Sequence, residues 1–141
     1  QTARTRTLLT NQTILIIGCG NIGRTCGEKL HSLGMQVIGL ARNVKEKNSE
    51  QKILFDDIKN IKSYLPHADH VLLLLPGVKK LHKFFSRDLL CIMKKTAFLY
   101  NFGRGVCLSD KDLLWGLENK CIAGAGIDVL TQEPLNPQHG L

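Results

Sequence analysis

Thr13-Ile14-Leu15-Ile16-Ile17-Gly18-Cys19-Gly20-Asn21-Ile22-Gly23 decides how this chain is read. Thr13–Ile17 is a β-branched, apolar run of the kind that makes a parallel strand buried on both faces. G-x-G-x-x-G follows at once, and apolar residues at helical spacing follow it: Ile22, Cys26, Leu30 and Leu33. Alone the three glycines are a weak signal; between a strand and a helix they are a strong one. Gly18 permits a tight turn, Gly20 lets the backbone approach a pyrophosphate, and Gly23 lets helix and strand pack closely. The helix that opens at Asn21 and Ile22 offers free N–H groups and a positive dipole end to phosphates.

The alternation continues outward from this stretch. Gly34 stops the first helix, and Gln36–Leu40 reads as the second strand. Residues 42–51 are polar and read as a loop; 53–55 reads as a short third strand. Asp56 or Asp57 then caps a helix carrying Ile58, Ile61 and Leu65, ended by Pro66. His70–Leu75 is a further buried strand, stopped by Pro76-Gly77. Ser86 caps a helix through Leu89, Leu90 and Met93, and 97–100 is the next strand. Ser109 and Asp112 form an S-x-x-D capping pattern before Leu113, Leu114 and Leu117. Ile122–Val129 is a last, glycine-broken strand. Strand, helix, strand repeated in this way predicts a doubly wound parallel α/β sheet of the Rossmann type, covered by helices on both faces.

Composition narrows the function. The chain has 141 residues, 43% hydrophobic and 22% charged, as expected of a globular domain. Its longest apolar runs are too short to span a bilayer, and no signal peptide precedes them, so a cytoplasmic protein without membrane contact is expected. The five cysteines are widely spaced with no C-x-x-C pair, which supports neither a zinc site nor a disulfide framework. The formal charge of +7 comes from dispersed lysines and arginines without interleaved aromatics, so nucleic-acid binding is not expected.

The end of the second strand bears on the cofactor. In this fold an acidic residue there usually holds the adenine ribose 2′-hydroxyl. Here Leu40 is followed by Ala41-Arg42-Asn43. The acid is absent, and the Arg42 guanidinium could pair with a 2′-phosphate. NADP is therefore expected, with NAD as the alternative.

With Asn101-Phe102-Gly103-Arg104-Gly105 and the run from Gly126 through Asp128 and Glu133 to Leu135, the chain resembles the D-isomer-specific 2-hydroxyacid dehydrogenases. The stretches 34–39 and 68–76 are similar to that family as well. The resemblance implies that residues 1–141 form the nucleotide-binding domain of a longer protein whose substrate domain lies outside this chain. It implies hydride transfer between a nicotinamide cofactor and a small 2-oxo acid, glyoxylate or hydroxypyruvate first, in a homodimer. It gives Arg104 the role of binding the substrate carboxylate, and Glu133 that of hydrogen-bonding a catalytic histidine. Asp128 matches a position near the nicotinamide carboxamide; Leu75, Pro76 and Phe102 match positions that line the cofactor. Cys107, Ser109 and the bulky Phe102 depart from the family's usual residues. The five histidines, His139 included, match no catalytic motif, so the chain alone is expected to be inactive. The alternative reading is a dinucleotide-sensing corepressor of the same fold.

The chemistry is consistent with those roles. Reduction of a 2-oxo acid needs a cation for the carboxylate, a proton donor for the forming alkoxide and a hydride source. A guanidinium fork suits a carboxylate, and a glutamate beside a histidine raises its pKa.

Overall fold

The computed structural model describes residues 8–42, 44, 52–131 and 140. They fold into a six-stranded sheet: β1 (Thr13–Ile17), β2 (Gln36–Ala41), β3 (Leu54–Asp57), β4 (His70–Leu73), β5 (Phe98–Asn101) and β6 (Gly124–Ile127). The order is β3-β2-β1-β4-β5-β6 and every pairing is parallel. The doubly wound arrangement expected from the sequence is the one found.

Alternation along the strands shows why both faces must be covered. Leu15 and Ile17 of β1 join Val71 and Leu73 of β4 in one core. Ile14 and Ile16 join Leu72 and Val37 in a second core on the opposite face. The first core is closed by α2 (Ile61–Tyr64), α3 (Arg87–Ile92) and α4 (Asp110–Glu118) through Ile61, Leu89, Leu90 and Leu113. The second is closed by α1 (Asn21–Ser32) through Cys26 and Leu30.

α1 turns to the sheet only part of the face its apolar spacing indicates, with Cys26 and Leu30 packed there. Its buried residues are Gly23 and Gly27, while Ile22 and Leu33 are exposed. The helix lies too close to β1 for large side chains on that line: a Cβ on Gly23 would stand 2.5 Å from the Gly18 carbonyl oxygen. The helix ends in a Schellman motif, with Gly34 N–H donating to His31 O (2.9 Å) and Met35 N–H to Leu30 O (3.2 Å).

Two further expectations are corrected. The helix read through Ile58, Ile61 and Leu65 is a 3₁₀ turn (Ile58–Asn60), one α-helical turn and a second 3₁₀ turn (Leu65–His67). Asp57 does cap its start, accepting from Lys59 N–H at 2.9 Å, but Pro66 cannot donate to the preceding turn. The Ser109/Asp112 capping box also does not close. Ser109 makes no side-chain cap bond: the Asp112 N–H donates to the Ser109 carbonyl oxygen at 3.0 Å, and the Asp112 carboxylate, the other half of the box, is taken by Arg87 Nε at 2.6 Å.

Candidate functional site

The strand order reverses at β1, whose neighbours are β2 and β4. In open α/β sheets ligands bind outside the carboxyl ends of the strands at such a point. A cleft of about 580 Å³ lies there, lined by Gly18–Gly20, Leu40–Arg42, Ile58, Leu74–Pro76, Leu81 and Phe84. Each loop entering this region is fixed by a backbone hydrogen bond just past its strand. Gly18 N–H donates to Leu40 O (2.9 Å), Leu74 N–H to Ile17 O (2.8 Å), Phe102 N–H to Leu73 O (3.1 Å) and Asp128 N–H to Asn101 O (3.1 Å).

The three glycines of the turn have three different reasons. Gly18 has φ +104°, and a Cβ on it would stand 2.6 Å from the Leu74 carbonyl oxygen. Gly23 is required by its approach to Gly18. Gly20 is required by neither: its φ is −76°, and a Cβ there would meet nothing within 4 Å. The space in front of Gly20 is therefore open on the cleft side, at the N-terminus of α1. No side chain caps that terminus and no acidic residue stands in its first turn. The N–H groups of the first turn thus have no intrahelical partner and no competing carboxylate, a cradle that fits a dinucleotide pyrophosphate. Asn21 and Ile22 open this turn and are both exposed.

Arg42 follows β2 and is the one charged residue among the described residues lining the cleft. The nearest carboxylates in sheet register are Asp56 opposite Leu40 and Asp57 opposite Ala41. Asp56 accepts from the Tyr64 hydroxyl at 2.6 Å, and Asp57 from Lys59 N–H. Cys19, between the glycines, is buried with Sγ 3.5 Å from Ile16 O. Burial pushes its thiol up to about 11, against the pull of Arg24, so it stays a neutral wall of the cleft.

The arginine turn sits beside the cleft. Asn101, at the end of β5, is buried; its Oδ1 accepts from Gly103 N–H and its Nδ2 donates to Arg104 O, both at 3.3 Å. The Arg104 side chain runs past Gly77, where a Cβ would lie 3.2 Å from its Cγ, and Nη1 donates to Gly103 O at 2.8 Å. Among the described residues no carboxylate forms an ion pair with it. Cys107 closes the turn from behind, with Sγ 3.7 Å from Pro76 O; burial raises its thiol pKa, opposed by the Arg104 charge. Phe102 is 52% exposed. Leu75 is buried, Pro76 exposed, and Asp128 exposed beyond β6.

The chain leaving β6 passes over this turn: the Leu130 carbonyl packs on Gly105, and Asp110 accepts from the Thr131 hydroxyl at 2.9 Å. Glu133 and His139 lie outside the described residues. His70 lies at the opposite, amino edge of the sheet, stacked between Phe98 and Tyr100. No histidine lines the cleft among the described residues.

Sequence reasoning assigned no role to Asn101, Ile58, Leu81 or Phe84. Asn101 was visible as a turn residue. The other three reach the cleft only through the folding of 58–67 and 77–85 against the strand ends, which no local pattern marks.

Sheet order, switch-point cleft and glycine turn together define a dinucleotide-binding domain. The model of the D-isomer specific 2-hydroxyacid dehydrogenase NAD-binding domain matches residues 1–141, and the chain belongs to that family. The glyoxylate reductase of Thermococcus kodakarensis is 33% identical over 123 residues, 87% of this chain and 36% of the relative. The NADPH-dependent glyoxylate/hydroxypyruvate reductase of Sinorhizobium meliloti, solved with NADP and sulfate, superposes with a TM-score of 0.85. It is 26% identical and covers 96% of this chain and 43% of its own. D-lactate dehydrogenase of Lactobacillus jensenii, solved with NAD+, gives 0.81 at 26% identity, covering 91% of this chain and 38% of its own. The chain thus spans well under half the length of each of these relatives. No helix among the described residues is long and apolar enough to cross a membrane.

Proposed function

We propose that residues 1–141 are the dinucleotide-binding domain of a cytoplasmic, homodimeric 2-oxo acid reductase that uses NADPH, with glyoxylate or hydroxypyruvate as substrate. The reading rests on one observation above others. The cleft joins an unobstructed helix N-terminus at Gly20 to a single cation, Arg42, with no carboxylate in its described lining. A 2′-phosphate would meet a guanidinium there and no carboxylate of the described lining.

In this reading the first turn of α1 holds the pyrophosphate, Arg42 the 2′-phosphate, and Leu75, Pro76, Phe102 and Asp128 border the nicotinamide end. The bound nicotinamide would supply the hydride. Arg104, held by the Asn101 turn and in no ion pair with a carboxylate among the described residues, pairs with the substrate carboxylate and orients the carbonyl. Glu133 hydrogen-bonds and holds protonated a histidine contributed by a part of the protein beyond this region. The glyoxylate reductases that share this domain support the substrate class.

The test is calorimetric titration of the wild-type chain and of Arg42→Ala with NADPH and NADH. The expected result is tighter NADPH binding by the wild type, and a selective loss of about 1.5–3 kcal/mol for NADPH in the variant. An equal loss for both, or tighter NADH binding from the start, would overturn the NADPH assignment.

A further inference from the structure

Two thiols distant in sequence meet on the outer surface of the α3–α4 pair. Cys91 is exposed on α3; Cys121 is half-buried in the turn between α4 and β6. Their Sγ atoms are 3.7 Å apart across 30 residues of chain. No other thiol–thiol contact is found among the described residues, and all five cysteines are free.

The surrounding structure holds the pair in place. α4 ends in a Schellman motif, with Lys120 N–H donating to Leu117 O (3.1 Å) and Cys121 N–H to Gly116 O (2.9 Å). α3 is fastened to α4 one turn earlier, where Leu90 packs on Gly116 so closely that a Cβ there would lie 3.0 Å from Leu90 Cδ1. Near the start of α3, Arg87 Nε pairs with Asp112 at 2.6 Å, and the guanidinium lies over the Trp115 ring at 4.9 Å. Cys91 and Cys121 are thus a third point of contact, between α3 and the turn that follows α4.

We propose that Cys91 and Cys121 form a reversible oxidation site, at which a hydroperoxide converts the two thiols to an intramolecular disulfide tying α3 to the α4–β6 turn. The exposed Cys91 sulfur attacks the peroxide: an S–O bond forms, the O–O bond breaks and the alcohol, or water from hydrogen peroxide, leaves. Cys121 then attacks the sulfenic sulfur; the S–S bond forms, the S–O bond breaks, and the hydroxyl leaves as water with the Cys121 proton. Two electrons pass from the sulfurs to the peroxide. A disulfide bond is roughly 2.05 Å long, so from 3.7 Å the sulfurs must close by under about 2 Å.

The location predicts what the bond does. Cys91 precedes β5 and Cys121 precedes β6, so both stand at the amino edge of the sheet. The cleft and the arginine turn are at the carboxyl edge. The crosslink closes a long loop and restricts the unfolded chain, while leaving the dinucleotide site as it is. In a reducing compartment such a bond is transient, and it would respond to oxidant rather than build the fold. Burial, then the neighbouring Cys121 and Asp88, push the Cys91 thiol up; because the thiolate is the attacking species, oxidation is best followed at mildly alkaline pH.

The experiment treats the chain with hydrogen peroxide at alkaline pH, alkylates remaining thiols and maps tryptic peptides by mass. Cleavage isolates Cys91 within residues 88–94 and Cys121 within 121–141, one cysteine to each peptide. The expected product is these two peptides joined, lost on dithiothreitol treatment and absent from Cys91→Ser and Cys121→Ser. The oxidised wild type should melt higher by about 5–15 °C and bind dinucleotide within twofold of the reduced form. Overoxidised or alkylated Cys91 without the crosslink, disulfide-linked dimers, or a lower melting temperature in the crosslinked form would each overturn the proposal. Mapping the wild type keeps the test decisive even if a serine variant folds poorly.

Discussion

The two outer glycines and the middle one of the turn fail differently when replaced. Gly23 backs onto the Gly18 carbonyl, so Gly23→Ala should cost about 1–3 kcal/mol of stability through overpacking against backbone. Gly20 faces open space, so Gly20→Val should cost no more than about 1 kcal/mol, that of a poorer N-cap, yet abolish tight dinucleotide binding. Urea unfolding and calorimetry on the same two variants separate the effects; a Gly20→Val protein that binds as well as wild type would remove the turn from the site. Arg104 allows a sharper test in the complete enzyme. Arg104→Lys keeps the charge and loses the fork, so KM for a 2-oxo acid should rise at least tenfold with dinucleotide affinity unchanged. Unaltered steady-state kinetics would take Arg104 out of substrate binding.

Among the elements, the amino edge of the sheet depends on Asp69. Its Oδ2 accepts from Thr13 N–H (2.9 Å) and its Oδ1 from Lys94 Nζ (2.8 Å). Its backbone N–H donates to Thr13 O, and its carbonyl accepts from Phe98 N–H, so β1, β4 and β5 start in register around one residue. Burial works against the carboxylate charge, but Lys94, the Thr13 N–H and His70 hold its pKa below the usual range. A lowered folded pKa means that the stabilisation is fully present above the unfolded value of about 3.9. It is lost as pH falls through the folded value. The Lys94 and Asp69 side chains are 35% and 31% exposed, so solvent screens the pair. Asp69→Asn should therefore cost about 1–2 kcal/mol at pH 7, with the gap to wild type closing below about pH 4. Denaturant titrations at several pH values check this; a gap that does not narrow at all as pH falls below about 4 would mean that charge is not its cause.

At the scale of the whole molecule, the carboxyl ends of all six parallel strands lie along one edge of the sheet, and this assembles the site. The described part of the site contains a carboxylate-binding candidate and a dinucleotide cradle but no histidine in its lining. The family relatives are more than twice as long as the region they share with this chain. The 141-residue chain should accordingly bind NADPH and fail to turn over. Loss of the general acid alone typically lowers the rate by about 10²–10⁴, and loss of a closing domain lowers it further. NADPH oxidation with glyoxylate, hydroxypyruvate or pyruvate should stay at least 10²-fold below a typical kcat of about 10 s⁻¹. Turnover near that value would bring His139 forward as the proton donor.

The sequence by itself determined the alternation of strands and helices, the glycine turn, the missing acid after β2 and the arginine turn after β5. Each is written in residues that are neighbours along the chain, where periodicity and turn chemistry act. Tertiary structure alone decided the rest. It set β1 between β2 and β4, which puts the glycine turn at the switch point. It turned Gly23 and Gly27, rather than Ile22, to the sheet, because helix and strand approach too closely for larger side chains. It gave Asp112 to Arg87 across 25 residues instead of to its own helix cap. It also brought Ile58, Leu81 and Phe84 to the cleft and set Cys91 beside Cys121. These outcomes depend on contacts between residues remote in sequence, and no local pattern encodes which distant partner a side chain will meet.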